Sequence, residues 1–278
     1  MKKYNIATII CLYVLVQVLP FQTSAQFFDF PTKVLDSANL SITYSLAWKQ
    51  DTNNLEQVRH ENMILLVGQK ISLFMSKNFY TRRLLGRKAE REGRLHEFLD
   101  GPEMQNFRTR YSYKIYKNYP ASRYTYTDKV MPAFLQYEEN LDVFNWQLTD
   151  LVDTIGDYMA YCAYTDYGGR HWVAWYTTDI PVNDGPYKFR GLPGLIIRLY
   201  DDKKQYVFDM VKMERSDEVL LIEFDDMGWM QTSRSDFLKA QENFRLDIIN
   251  RAKEAGADNE SQQVAVRNMS RKNNPIEF

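Results

Sequence analysis

The 278-residue chain has only two cysteines, Cys11 and Cys162, and three histidines, His60, His96 and His171. Cys11 lies in an apolar stretch near the start and follows Ile10 rather than a small residue, so it does not suit lipid attachment. Once that stretch is removed Cys162 is alone, and an intramolecular disulfide is excluded even in an oxidising compartment. None of the histidines has a second His or Cys at helical or hairpin spacing, so neither a transition-metal site nor a metal cofactor is expected. Charge of one sign is lacking as well. Without residues 1–25 the chain holds 33 basic and 36 acidic residues, a net charge of −3, which offers no footprint for nucleic acid or for an acidic membrane surface. Beyond residue 19 there is no apolar run long enough to cross a bilayer, so no transmembrane span is expected in the mature chain.

What is present begins with an export signal. Lys2 and Lys3 precede an apolar stretch over 6–19, Pro20 breaks it, and Thr23, Ser24 and Ala25 supply small residues, which predicts cleavage after Ala25. The stretch is too short for a membrane anchor. The expected organisation is a signal peptide over 1–25, one β-rich domain over 26–256, and a polar loop or tail over 257–278.

Short runs of β-branched and aromatic residues bounded by turn residues predict strands near 40–48, 63–67, 71–75, 111–116, 123–127 and 134–138. A denser set follows near 155–165, 170–177, 195–200, 205–213 and 219–224, with connections short enough to favour antiparallel neighbours. Gly68-Gln69 marks a tight hairpin. Ser233 opens a capping pattern, and Phe237, Ala240, Phe244, Ile248 and Ala252 follow at helical spacing before Gly256. A weaker helical pattern covers about 80–99, with Gly86 and Gly93 counting against it. The fold class is therefore α+β, mainly antiparallel β-sheet with a C-terminal amphipathic helix.

Residues 185–208, GPYKFRGLPGLIIRLYDDKKQYVF, crowd glycine and proline ahead of an apolar run. Pro193-Gly194 suits the centre of a type II turn, after which 195–200 leaves as a strand and 205–213 returns. No Gly-Lys-Ser/Thr ending follows and no helix opens, so this is not a phosphate loop, and no Gly-x-Ser-x-Gly elbow occurs. The stretch Trp175-Tyr176-Thr177, Ile180-Pro181, Gly185-Pro186-Tyr187-Lys188-Phe189 and Gly191-Leu192-Pro193-Gly194-Leu195-Ile196 resembles the signature of the GLPGLI family, named for its last six residues. The resemblance extends through Tyr119-Pro120, Tyr137-Glu138-Glu139, Trp146, Gly156-Asp157-Tyr158, Cys162-Ala163 and Gly169-Arg170-His171-Trp172 to Asn274-Pro275-Ile276-Glu277. It implies an exported protein of the Gram-negative envelope, in the periplasm, at the outer membrane or secreted, and it brings no catalytic residues.

Cys162 and His171 flank a predicted hairpin. A four-residue loop over 166–169 pairs Thr165 with Arg170, placing the thiol and imidazole on one face and ~7–8 Å apart, loose for a nucleophilic dyad. A buried core thiol is the simpler reading of Cys162. Met159 has the opposite strand parity and does not join them as a soft-metal set. The acid pairs Glu138-Glu139, Asp201-Asp202 and Asp225-Asp226 point to opposite sides of their strands or into solvent. No catalytic residue is assigned and catalysis is not favoured.

The aromatic content is the stronger signal, with 19 Tyr, 16 Phe and 5 Trp. Trp172 and Trp175 fall on opposite faces of one strand. The expected binding residues are Trp172, Trp175, Tyr176, Tyr187, Gly191, Pro193 and Gly194, engaging an envelope protein or a glycan. An envelope hydrolase acting on glycans or peptides, and a structural or assembly component, are the alternatives.

Overall fold

A computed structural model describes residues 31–248, residue 250 and residues 259–278. The predicted signal peptide and the predicted end of the C-terminal helix at Ala252 and Gly256 lie outside them. Twelve strands form one sheet: β1 (Thr32–Lys49), β2 (Val58–Gly68), β3 (Ser72–Ser76), β4 (Lys114–Lys117), β5 (Arg123–Val130), β6 (Ala133–Asn140), β7 (Gln147–Ile155), β8 (Tyr158–Tyr167), β9 (Arg170–Thr177), β10 (Leu195–Asp201), β11 (Tyr206–Asp225) and β12 (Met230–Gln231). Their order is β12-β6-β5-β4-β3-β2-β1-β11-β10-β9-β8-β7. Two antiparallel meanders, β1 to β6 and β7 to β11, are thus joined along β1 and β11, and only β12 on β6 is parallel. No helix among the described residues is long and apolar enough to cross a membrane.

Period-two patterning divides the sheet into two faces. Leu40, Ile42, Tyr44, Leu46 and Trp48 alternate along β1 into the larger core, where Phe74, Ile115, Tyr126, Trp172, Leu195 and Phe208 meet them. The opposite face has a smaller core of Ala38, Ile64, Leu66, Leu73, Met75, Tyr116 and Ile222. Helix α1 (Lys77–Arg91) supplies Phe79 and Tyr80 to that core. Ser76 caps α1 by accepting from Phe79 N, and Gly93 at φ 70° follows its end. Two short helices continue, α2 (Leu95–Asp100) and α3 (Pro102–Asn106). The predicted helix over 80–99 is therefore two helices broken near Gly93.

Four expectations change. The two strands predicted at 205–213 and 219–224 are one strand, β11, because Glu214 and Arg215 continue the pairing with β1 and an irregularity in the register then carries the strand on to Leu220 opposite Ala38. β7 was not anticipated: most of its residues are exposed, so it carries no alternation to read. The β8–β9 loop has two residues rather than four, and Tyr167 pairs with Arg170. Gly168 and Gly169, at φ 60° and 77°, supply the positive φ that so short a turn needs. Finally, residues 257–278 are not simply loop or tail. Helix α5 (Asn259–Ser270) occupies part of them, and Asn274 and Glu277 are buried.

The helix predicted from Ser233 is α4 (Arg234–Leu246), with the Ser233 hydroxyl accepting from Asp236 N at 3.0 Å. Its Phe237 packs on Tyr126 and Tyr137 at 5.2 and 5.3 Å.

Candidate functional site

The loop over 181–194 lies against the larger core rather than projecting from it. Ile180, Tyr187, Phe189 and Leu192 are all buried there. The turn at Pro193-Gly194 is tighter than the predicted type II turn: Gly194 N donates to Leu192 O at 2.8 Å, and Leu195 N donates to Ile180 O at 3.2 Å. Gly194 has φ 144°, and a Cβ there would stand 2.0 Å from Thr177 O, so glycine is required twice over. Buried Lys117 holds the loop from β4, donating to Asp184 Oδ1 at 2.5 Å and Gly185 O at 2.7 Å, while Ser72 Oγ donates to Asp184 Oδ2 at 2.5 Å.

Tyr187 and Lys188 end in an aromatic cage. Lys188 Nζ lies 5.1–5.5 Å from the ring centroids of Tyr124, Tyr126, Tyr137, Tyr167 and Tyr187, and donates to Tyr137 Oη at 2.7 Å. Burial raises the pKa of all five phenols, so they stand as neutral hydroxyls around the cation. The cage is closed by Glu277, whose carboxylate receives Lys188 Nζ, Tyr187 Oη at 2.5 Å and Arg234 Nε at 2.7 Å. Burial works to raise the Glu277 carboxyl, but Lys188 and Arg234 outweigh it and hold the pKa below the ordinary value. Burial pulls the Lys188 ammonium down against the opposing pull of Glu277.

The expected binding residues divide between the two faces. Trp172 is buried, donating from Nε1 to Tyr167 O at 3.0 Å and packing on Phe189 at 4.8 Å. Tyr176 and Tyr187 are buried too. Gly191 and Pro193 are exposed on the loop, while Gly194 is buried. Trp175 is only half-buried: strand parity turns it to the other face from Trp172, and it still packs against residues of the larger core. It lines a depression of about 280 Å³ with Asp153, Arg198, Tyr200, Lys204, Val207 and Asp209.

Cys162 pairs across strands with Trp175, and Asp166 with His171. The predicted register was thus displaced by two residues, and His171 lies four residues along β9 from the position facing Cys162, roughly 13 Å away. Cys162 is buried with a free thiol, while His171 bonds the exposed Asp166 at 2.8 Å. Of the acid pairs, Asp201 is buried against Arg170 and Asp225 against Arg83 and Lys114, with Asp202 and Asp226 exposed. Among the described residues no three His, Cys, Asp or Glu side chains converge as metal ligands.

A family model described as "Protein of unknown function (Porph_ging)" matches residues 167–198. This chain carries the GLPGLI signature. The matched GLPGLI segment contains the Gly168-Gly169 turn, Trp172, Trp175, Tyr187, Lys188 and the whole loop over 181–194. Among curated proteins none matches the chain. Two solved structures of PNGF-II, in space groups P21 and C2, are similar at 12% and 13% identity, with TM-scores of 0.50 and 0.49. Each comparison covers 76% of this chain and 34% of the other, so this chain spans about a third of those proteins. At that identity the likeness concerns the fold alone.

The residues that sequence reasoning passed over are Arg170, Lys188, Arg234, Asn274 and Glu277. Four of them lie in stretches that resemble the family, but no local pattern links Lys188 to Glu277, 89 positions later.

Proposed function

We propose that this is an exported cell-envelope protein that binds a ligand or partner through the aromatic face around Trp175. The observation that carries the reading is the depression in which half-buried Trp175 stands with Tyr200, Lys204 and the Arg198–Asp209 ion pair. A flat indole beside paired charges suits a glycan, which offers an apolar ring face and a rim of hydroxyls. The other large aromatics of the GLPGLI segment, Trp172, Tyr176 and Tyr187, then serve to build the sheet and loop that support this surface.

The test is retention of the exported chain, residues 26–278, on immobilised envelope glycans, with and without Trp175→Ala. The expected result is saturable retention of the wild type that falls at least tenfold in the variant. Equal retention of both proteins would overturn the reading. Asp153 and Asp209 line the same depression, which keeps an envelope hydrolase as the second reading. Glycan turnover abolished by Asp153→Asn would put catalysis in the place of binding.

A further inference from the structure

Residues 274–278 are held in the manner of a bound peptide. Arg170 alone reaches three of their oxygens: Asn274 Oδ1 at 2.6 Å, Pro275 O at 2.6 Å and Ile276 O at 3.2 Å. Its guanidinium is itself fixed by Asp201 at 2.8 Å and Gln205 at 3.1 Å, and lies 4.8 Å from the ring of Tyr206. Asn274 is read at every polar group of its side chain, since Nδ2 donates to Lys49 O at 2.7 Å, while its backbone O accepts from Tyr206 Oη at 2.6 Å. Three positions on, the Glu277 carboxylate enters the tyrosine cage and meets Lys188, Tyr187 and Arg234. The next residue, Phe278, donates its N–H to Gly168 O at 3.0 Å.

This arrangement selects a sequence. A segment needed only to cover a core is served by apolar side chains, which avoid the desolvation cost of a buried ion pair. Here buried Lys188 has its carboxylate partner in this segment, and buried Arg170, already paired with Asp201, finds three further acceptors there, so a segment without them would leave Lys188 without its counter-charge and Arg170 N–H groups without acceptors. The backbone is shaped for the same occupant. A Cβ at Gly168 would stand 2.8 Å from Glu277 Cγ, and one at Gly169 would stand 3.0 Å from Phe278 Cδ2. Arg170, Tyr187, Lys188 and both glycines fall inside the matched stretch 167–198.

We infer that Arg170, Tyr206, Tyr187, Lys188 and Arg234 form a recognition site for acidic peptide segments of the form Asn-Pro-x-Glu, which residues 274–277 occupy in cis. The site lies on the opposite face from Trp175 and does not depend on the glycan reading. Occupation in cis makes the chain's own segment a competitor, so a partner presenting the same four residues binds only when that segment is out of place.

The experiment uses the exported chain, residues 26–278, as wild type, as Asn274→Ala/Glu277→Ala and as Glu277→Gln, with a fluorescent peptide of residues 270–278 as probe. Anisotropy should show saturable binding to the double variant at least tenfold tighter than to the wild type. Unlabelled peptide should compete, and peptide carrying Glu277→Gln should not. Adding Lys188→Met to the double variant should abolish the signal. The isosteric Glu277→Gln chain preserves packing, so it reports on the site should the double variant fail to fold, and it too should take up probe more tightly than wild type. Folded variants that bind no better than wild type, or that bind the wild-type and Glu277→Gln peptides equally, would overturn the inference and leave residues 274–278 as a structural clip.

Discussion

Lys117 on β4 and Asp184 in the GLPGLI loop meet at 2.5 Å with both side chains buried. The two residues are 67 positions apart, and their contact anchors the loop to the floor of the larger core. Lys117 also donates to Gly185 O and Phe189 O, so one ammonium satisfies three acceptors of a segment that has little regular secondary structure of its own.

Removing either partner leaves an unpaired buried charge. Lys117→Met and Asp184→Asn are each expected to lower unfolding free energy by about 3–5 kcal/mol. The double variant should lose less than the sum of the two, since neither charge is then left alone. Urea unfolding of the four proteins checks this, and strict additivity would show that the two side chains act independently.

Glycine requirements differ from place to place in a way that can be measured. Gly194→Ala sets a Cβ against Thr177 O in a strained backbone and should abolish accumulation of folded protein. Gly156 also has positive φ, but a Cβ there would meet nothing within 4 Å, so Gly156→Ala should cost only the conformational strain, about 1–2 kcal/mol. Gly168→Asn separates two effects: asparagine tolerates the turn conformation, but its Cβ would collide with Glu277. It should therefore destabilise the wild type more than it destabilises Glu277→Ala. Thermal unfolding of the set decides, and equal costs in the two backgrounds would sink the steric account.

Asp128 on β5 gives a pH dependence of definite sign. Burial raises its carboxyl from 3.8 to about 6, against the opposing bonds from Ser112 Oγ at 2.6 Å and Lys129 N at 2.8 Å. The folded state then keeps a proton that the unfolded state has already released. The stability this contributes is fully present below pH 3.8 and is lost as pH rises through about 6. Asp128→Asn does not ionise, so relative to it the wild type should lose about 3 kcal/mol between pH 3.5 and pH 7. Paired urea titrations across that range test it, with a constant difference as the refuting outcome.

Much of the sheet was legible because one buried face imposes a period of two. Leu40 to Trp48 alternate, Trp172 and Trp175 take opposite faces as parity requires, and Ser233 caps the helix it precedes. The same periodicity explains the error at the β8–β9 hairpin, since a register displaced by two residues returns every side chain to its own face. Only the backbone of Gly168 and Gly169 distinguishes the two registers, through positive φ at both. β7 escaped notice because an edge strand exposed along most of its length needs no alternation.

The amino-acid sequence alone determined the β-rich class, the faces of the principal strands and the family signature, because these depend on local periodicity and on contiguous motifs. Tertiary structure decided that the signature loop lies in the core, that Trp175 but not Trp172 or Tyr187 reaches the surface, and that Asn274 and Glu277 are buried partners of Arg170 and Lys188. Polar residues near the end of a chain have the composition of a solvated tail. What buries them is a set of charges 89 and 104 positions away, brought close by strand pairing that no local pattern encodes.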